Sequence, residues 1–119
     1  MAKHNTLGKK GEEKALEFLI ANGYSIIEKN YRYLKAEIDI IAQKDDILAV
    51  VEVKTRSTRD FGLPQDFVSK KKIKLMVTAI DHYLNEREWD IEVRFDIIAI
   101  IKNKKGWEIE HLKDAFYHF

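Results

Sequence analysis

Four charged residues sit where charge is expensive. In Ile47-Leu-Ala-Val-Val-Glu-Val-Lys54, Glu52 and Lys54 interrupt an apolar run. An extended strand points residues two apart to one face, so these two share a face while Val51 and Val53 take the other. The segment Glu37-Ile-Asp-Ile-Ile41 repeats the arrangement, placing Asp39 between two isoleucines on the preceding strand and beside Glu52. An isolated buried charge is costly enough that proteins pair it, bind a metal with it or neutralise it. A third carboxylate belongs to the first helix. At about 100° per residue, Ala15, Leu16, Leu19 and Ile20 form an apolar arc with Glu12 near its middle and Glu13 and Glu17 at its edge or outside. Gly8, one turn earlier on the same side, would let another chain or a ligand approach closely.

Three carboxylates and a lysine in low-dielectric settings point to one chemistry. Hard oxygen ligands suit Mg²⁺ or Mn²⁺. Such an ion acidifies a water and stabilises charge on a phosphoryl oxygen, the two needs of phosphodiester hydrolysis. Lys54 could then orient or deprotonate the attacking water, or neutralise the pentacoordinate phosphorus. The alternative is a buried ion-pair network, Lys54 with Asp39 or Glu52, that only fixes strand register. Spacing alone leaves both open.

Other chemistries are excluded. There is no cysteine, hence no thiolate zinc site, cysteine nucleophile or disulfide, which fits a reducing compartment. His4, His82, His111 and His118 lack metal-binding spacing, so surface roles are expected of them. Phosphate-binding glycine loops and the nucleophile elbow are missing. Trp89 and Trp107 are expected to pack rather than form a ligand cage.

The elements that must position these residues follow from periodicity. Thr6 or Asn5 is expected to cap a helix that stops at Asn22-Gly23. Strands follow at Tyr24 to Tyr33, Glu37 to Gln43 and Ile47 to Lys54, the last two joined by a turn at Lys44-Asp45-Asp46. After a loop with Gly62 and Pro64, a helix starts at Asp66 or Ser69 and reaches Asn85. Its apolar side is Ile73, Met76, Val77, Ile80 and Leu84, with Lys71, Lys74 and Thr78 opposite. Strands at Ile91 to Ile101 and Trp107 to Leu112 complete the chain. The order α-β-β-β-α-β-β implies an α/β fold, a central mixed sheet flanked by helices, because a strand as apolar as Ile47 to Val53 needs cover on both faces.

The chain has 119 residues, 45% of them hydrophobic and 34% charged. Folding at this size removes roughly two-thirds of the unfolded surface from water, enough for one self-sufficient domain over residues 1–119. Residues Met1 to Lys10 are polar and unlike a secretory signal, and no segment approaches the ~20 apolar residues of a membrane helix. The expectation is a soluble cytoplasmic protein. Its net charge of +1 conceals a polarised distribution. Lys29 to Lys35 holds three basic residues and no acid, and Glu52 to Lys74 holds seven basic residues and three acids. These stretches carry +7 against −6 for the rest of the chain, as a local anion-binding face would. Ordinary solvated lysines are the alternative.

Gly8-Lys-Lys-Gly-Glu12-Glu-Lys-Ala, Asn30-Tyr-Arg, Glu37-Ile-Asp-Ile-Ile41, Val51-Glu-Val-Lys-Thr-Arg56, Phe61-Gly62 and Arg94-Phe-Asp96 resemble, in order and spacing, the YraN-like family of bacterial proteins. That family is similar to the PD-(D/E)xK superfamily, which includes restriction endonucleases and archaeal Holliday-junction resolvases. The resemblance implies a restriction-endonuclease-like core, with Glu12 as the helix acid, Asp39 as the first strand acid, and Glu52 with Lys54 as the Glu-x-Lys pair. The superfamily's Pro-Asp is absent, since Asp39 follows Ile38, and Ala36 replaces the glycine usual before Glu37. Gln65 occupies the place of a polar active-site helper. With Glu12, Asp39 and Glu52 holding Mg²⁺ or Mn²⁺, residues Arg32, Lys35, Arg56, Arg59, Lys70, Lys71 and Lys72 are candidates for binding phosphates on either side of the metal. Tyr31 and Tyr33 could stack on unpaired bases, although packing at the strand edge is favoured. Arg94 and Asp96 share a strand face and are expected to pair.

The expected function is Mg²⁺-dependent hydrolysis of phosphodiester bonds in DNA rather than RNA, with branched or structured DNA as a candidate substrate. A nucleic-acid-binding module without turnover and a partner-binding structural domain are the alternatives. A homodimer would suit cleavage of two strands. Phe116, Tyr117 and Phe119 could form its contact or close the protomer's own core.

Overall fold

Residues 3–57 and 68–115 are described by the computed structural model. The elements are α1 (Lys3–Ala21), β1 (Ser25–Tyr33), β2 (Ala36–Lys44), β3 (Ile47–Arg56), α2 (Lys70–Glu86), β4 (Glu92–Asn103) and β5 (Gly106–Leu112), in the expected order. Arg59, Gln65, Phe61-Gly62, Pro64, the Asp66 alternative for the helix start, His118 and the C-terminal aromatics lie outside the described residues.

Local chemistry sets the element ends. At the end of α1, Tyr24 N–H donates to Leu19 O (2.9 Å) and Gly23 N–H to Ile20 O (3.1 Å), with Gly23 at φ 91. This double bond pattern satisfies carbonyls left open by the last helical turn and needs a left-handed residue, which glycine supplies. The start differs from expectation: α1 already runs from Lys3, so Asn5 and Thr6 lie inside the helix rather than capping it. Ser69 does cap α2, its hydroxyl accepting from Lys72 N–H at 3.1 Å. At the other end of α2 the same closure recurs, with Trp89 N–H on Leu84 O (3.0 Å), Glu88 N–H on Asn85 O (3.2 Å) and Glu88 at φ 50. Tyr33 faces Ala36 and Lys44 faces Ile47, so two-residue turns join β1 to β2 and β2 to β3. Leu34 and Asp45 take the left-handed conformation those turns demand, both at φ 55.

The five strands form one sheet in the order β1-β2-β3-β4-β5, antiparallel except for the parallel pair β3 and β4, which α2 connects. Each face of β3 is covered. Leu48 and Val50 join Met76, Ala79, Ile80 and Tyr83 of α2 in one buried cluster, while Ala49 and Val51 join Ala15 and Leu19 of α1 in another. Two layers of helix over one sheet therefore bury the apolar run that the strand pattern required to be covered. Tyr31 and Tyr33 pack as favoured: Tyr31 stands edge-on to Tyr83 at 5.0 Å, and Tyr33 stacks on His82 at 3.9 Å. Trp89 and Trp107 likewise pack against the two clusters.

The contact line of α1 differs from the expected arc. Gly11, Ala15 and Leu19, spaced four apart, are buried, whereas Ile20 is 60% exposed. Small residues decide this. A Cβ at Gly11 would collide with Thr55 Oγ1 of β3 and lie 2.9 Å from its Cβ and Cγ2, so the helix approaches the sheet along its smallest side chains. Gly8 has open space around it. The close-approach glycine is Gly11, and Glu12 stands at the flank of the contact, half-buried, rather than at its centre.

Candidate functional site

The ladder between β2 and β3 runs from Lys44 and Ile47 to Ile40 and Val51 and ends there. Beyond it β2 stays paired with β1 to Ala36, and β3 stays paired with β4 to Arg56. Asp39 sits where the two halves part. On β2, Ala36 and Ile38 join the α2-side cluster but Ile40 and Ala42 join the α1-side cluster. The alternation thus slips by one residue at Asp39. There the carboxylate takes over the ladder's work, its Oδ2 accepting Val53 N–H at 2.8 Å.

Glu52 immediately precedes Val53 in β3, on the face of Leu48 and Val50, and is 2% exposed. Its Oε2 receives two ammonium groups, Lys72 at 2.5 Å and Lys54 at 3.2 Å. Its Oε1 is buried without a hydrogen-bond partner. The expected shared face of Glu52 and Lys54 is present, and α2 adds a second lysine to it. Glu12 comes from α1, close enough to Glu52 and Glu37 to feel their charge and hydrogen-bonded by the Asn30 side chain.

Crowding of acids around a buried point shifts their ionisation. Burial, repulsion from Glu52 and, more weakly, from Glu12 push Asp39 up to about 7, against the pull of the Val53 N–H and Lys72. Burial, then Glu37 and Glu52, raise Glu12, against the Asn30 hydrogen bond. Like charges in low dielectric disfavour one another's ionised forms, and a cation added among them would relieve this. Three carboxylates with one orphaned oxygen therefore fit a hard divalent ion in donor chemistry. Among the described residues, however, no three His, Cys, Asp or Glu side chains gather closely enough to hold one metal ion. Of the three, Glu52 alone contacts ammonium groups, while Asp39 is held by Val53 N–H and Glu12 by Asn30.

The basic residues divide into distinct settings. Lys35 and Lys71 are exposed and line, with Glu37, Ser69 and Lys72, a cleft of about 350 Å³ beside Glu52. Lys70 is exposed on the first turn of α2. Arg32 pairs with Glu37 at 3.3 Å on the surface. Arg56 donates to the carbonyl of Thr55 at 2.8 Å. The Lys72 ammonium is turned inward onto Glu52. A larger cleft, about 640 Å³, lies between α1 and the β4–β5 end of the sheet, with Lys10, Glu13, Lys14, Glu17, Lys102 and Trp107 in its walls. The smaller cleft adjoins the carboxylate centre through Lys72, which lines it and contacts Glu52.

A second buried charge is satisfied separately. Asp96 accepts Arg94 Nε and Nη2, both at 2.9 Å, which is the expected strand-face pair. It also contacts His111 Nε2 at 2.8 Å and accepts Asp114 N–H at 3.0 Å. Burial works to raise the Asp96 pKa, and the bonds from His111, Arg94 and Asp114 outweigh it and hold the carboxyl below its ordinary range. Arg94 Nη2 donates onward to Tyr24 Oη at 2.6 Å. His111 is thus not the surface residue expected from spacing: its side chain is 7% exposed, against Phe18 and Tyr24. Asp96 in the apolar run Phe95-Asp-Ile-Ile was the available signal, since a fully buried carboxylate needs more than one partner. Lys72 stood among the candidate phosphate contacts, but no comparable signal pointed to its pairing with Glu52. For Gly11, the four-residue spacing of Gly11, Ala15 and Leu19 was the clue.

These features define an α/β protein with one mixed sheet, two covering helices and a carboxylate–lysine centre where the sheet opens. The chain belongs to the uncharacterised protein family UPF0102, the YraN family, which it matches over residues 11–100. It is 61% identical to the UPF0102 protein of Christiangramia forsetii over the whole of both chains. It is also 59% identical over both whole chains to the UPF0102 protein of Flavobacterium psychrophilum. Identity is 46% to that of Phocaeicola vulgatus, covering 98% of this chain and 97% of the relative. Among solved structures, Hjc, a Holliday junction resolvase from Archaeoglobus fulgidus, is similar at a TM-score of 0.49 and 18% identity, covering 87% of this chain and 75% of that one. No described helix is long and apolar enough to cross a membrane.

Proposed function

We propose that the protein is a Mg²⁺- or Mn²⁺-dependent nuclease that hydrolyses phosphodiester bonds in DNA, with branched or structured DNA as the candidate substrate. The observation that carries this reading is Glu52, a buried carboxylate with one oxygen unpartnered and the other shared by two lysines, next to an aspartate whose ionisation its neighbours resist. A purely structural ion pair is better served by one acid and one base with every lone pair satisfied. The motif resemblance to the PD-(D/E)xK superfamily points the same way.

Glu12, Asp39 and Glu52 are the residues that would hold the metal. When bound, the ion would lower the pKa of a water and offset charge developing on the phosphoryl group. The chain supplies the rest. Lys54, anchored on the rigid β3, presents its ammonium at the mouth of the carboxylate centre, where it donates to the attacking water or to a phosphoryl oxygen. Asp39, tied to Val53 N–H, keeps its remaining oxygen in a fixed direction. Lys35, Lys70 and Lys71 hold the flanking phosphates, and Arg32 and Arg56 extend that basic rim. Water attacks phosphorus as the bond to the leaving sugar oxygen breaks.

The test is a cleavage panel of duplex, flap, junction and single-stranded DNA with Mg²⁺, Mn²⁺ or EDTA. Strand scission that requires the metal and disappears in Glu52→Ala/Lys54→Ala supports the proposal. Equal scission by that double variant refutes it. The second reading, a nucleic-acid-binding module without turnover, is favoured by the inward Lys72, which neutralises Glu52 without any ion. It is supported if salt-sensitive binding survives the double substitution and no substrate is cut.

A further inference from the structure

We propose that Lys72 is a displaceable counter-ion: it occupies Glu52 while the carboxylate centre lacks a divalent cation, and when one binds it swings into the neighbouring cleft to hold a nucleic-acid phosphate. This rests on the nuclease reading for the identity of the cation and of the phosphate, and on the geometry for the movement.

Two ammonium groups share one oxygen of Glu52, and they are not equivalent. Lys54 is two residues from Glu52 on the same strand, with a side chain 18% exposed at 3.2 Å. Lys72 arrives from another element, is 38% exposed and makes the closer contact at 2.5 Å. Its backbone is anchored, because Lys72 N–H donates to the capping Ser69 hydroxyl. The four-carbon side chain can therefore change direction while the helix stays in place. The cleft of about 350 Å³ that Lys72 lines also carries Lys35, Lys71 and the Ser69 hydroxyl, so the ammonium has a polar destination a few bonds' rotation away.

Charge decides which lysine leaves. Glu12, Asp39 and Glu52 offer at most three negative charges to Lys54 and Lys72. Adding a dication to both ammoniums would put four positive charges among them, and like charges a few ångströms apart at partial burial repel strongly. Releasing Lys72 restores balance, whereas Lys54 is confined by its own strand. In the cleft, Lys72 would join Lys35 and Lys71 and offset Glu37, raising the site's affinity for a phosphodiester once the metal is present. Metal binding and substrate binding become coupled through one side chain, which is a free-energy linkage and hence reciprocal.

The experiment compares wild type, Lys72→Met, Lys72→Gln and Lys71→Met, with thermal melts to show that each is folded. Calorimetric titration with Mn²⁺ alone reads the first half. Both Lys72 variants should bind the ion roughly tenfold more tightly, because the half-exposed Lys72–Glu52 pair no longer has to be broken first, while Lys71→Met matches wild type. Unchanged or weaker Mn²⁺ binding by both Lys72 variants overturns the proposal. Fluorescence anisotropy with a labelled flap DNA reads the second half, in Ca²⁺ and in EDTA. Lys72→Met should lose several-fold affinity in Ca²⁺ and none in EDTA, and Lys71→Met should lose affinity in both. An equal loss for Lys72→Met in both conditions makes it a permanent phosphate contact and refutes the displacement. If wild type binds no DNA in either condition, the nuclease reading and the phosphate destination fail together, and the Mn²⁺ titration alone decides whether Lys72 competes with the cation.

Discussion

Replacing Asp39 by Asn in the metal-free protein is expected to stabilise it at neutral pH. The amide oxygen can keep the bond from Val53 N–H, while the charge disfavoured by burial, Glu52 and Glu12 disappears. A carboxyl pushed from 3.8 to about 7 corresponds to roughly 4 kcal/mol of disfavoured ionisation above both values. Because the three acids share that repulsion, about 2 kcal/mol is the part released by one substitution. At roughly 4 °C per kcal/mol for a chain of this size, the melting temperature rises by about 8 °C. The sign fixes the pH window. Below about pH 3.8 Asp39 is protonated in both folded and unfolded chains, so the substitution gains nothing. As pH rises the unfolded chain loses its proton first, and the folded wild type is penalised progressively until about pH 7, then by a constant amount. Urea unfolding of both proteins in EDTA, from pH 4.5 to 8, measures this directly. A difference that stays flat with pH, or an Asn variant that is less stable throughout, would refute the electrostatic reasoning.

Three further outcomes follow from particular contacts. Gly11→Ala should cost about 1–3 kcal/mol by forcing α1 off β3, and Thr55→Ala in the same chain should restore part of it; a thermal melt showing no loss in the single variant would place the helix farther from the sheet. Asp96→Ala should cost about 3–5 kcal/mol, because it strands Arg94 in a buried setting. Wild-type stability from Asp96 is present above pH 3.8 and lost as pH falls through its lowered folded value, so the gap between the two proteins should narrow in acid. Glu88→Gly should gain roughly 1 kcal/mol, since a left-handed residue ends α2 and a Cβ there is strained; chemical denaturation checks it.

The site was partly legible because burial makes charge conspicuous. Glu52 and Lys54 two apart in an apolar strand had to share a face, and Asp96 among isoleucines had to find partners. Period-2 alternation located the strands to within a residue or two, except that it could not show the slip at Asp39, which arises from β2 and β3 parting company. The arc of α1 was misplaced for a different reason. Hydrophobicity ranks Ile20 above Gly11, but the depth of a helix on a sheet is set by which side chains are small enough to let it close.

Sequence alone determined the element order and the mixed sheet with cover on both faces, and singled out Glu12, Asp39 and Glu52 as acids set among apolar residues. Those follow from local periodicity and from the cost of burying charge, which act within a few residues. Only the tertiary structure decided that Lys72 closes onto Glu52, that His111 completes Asp96, and that Gly11 brings α1 against Thr55. Each joins side chains far apart in the chain across a helix–sheet or strand–strand contact, and the distance between them is set by packing that no local pattern encodes.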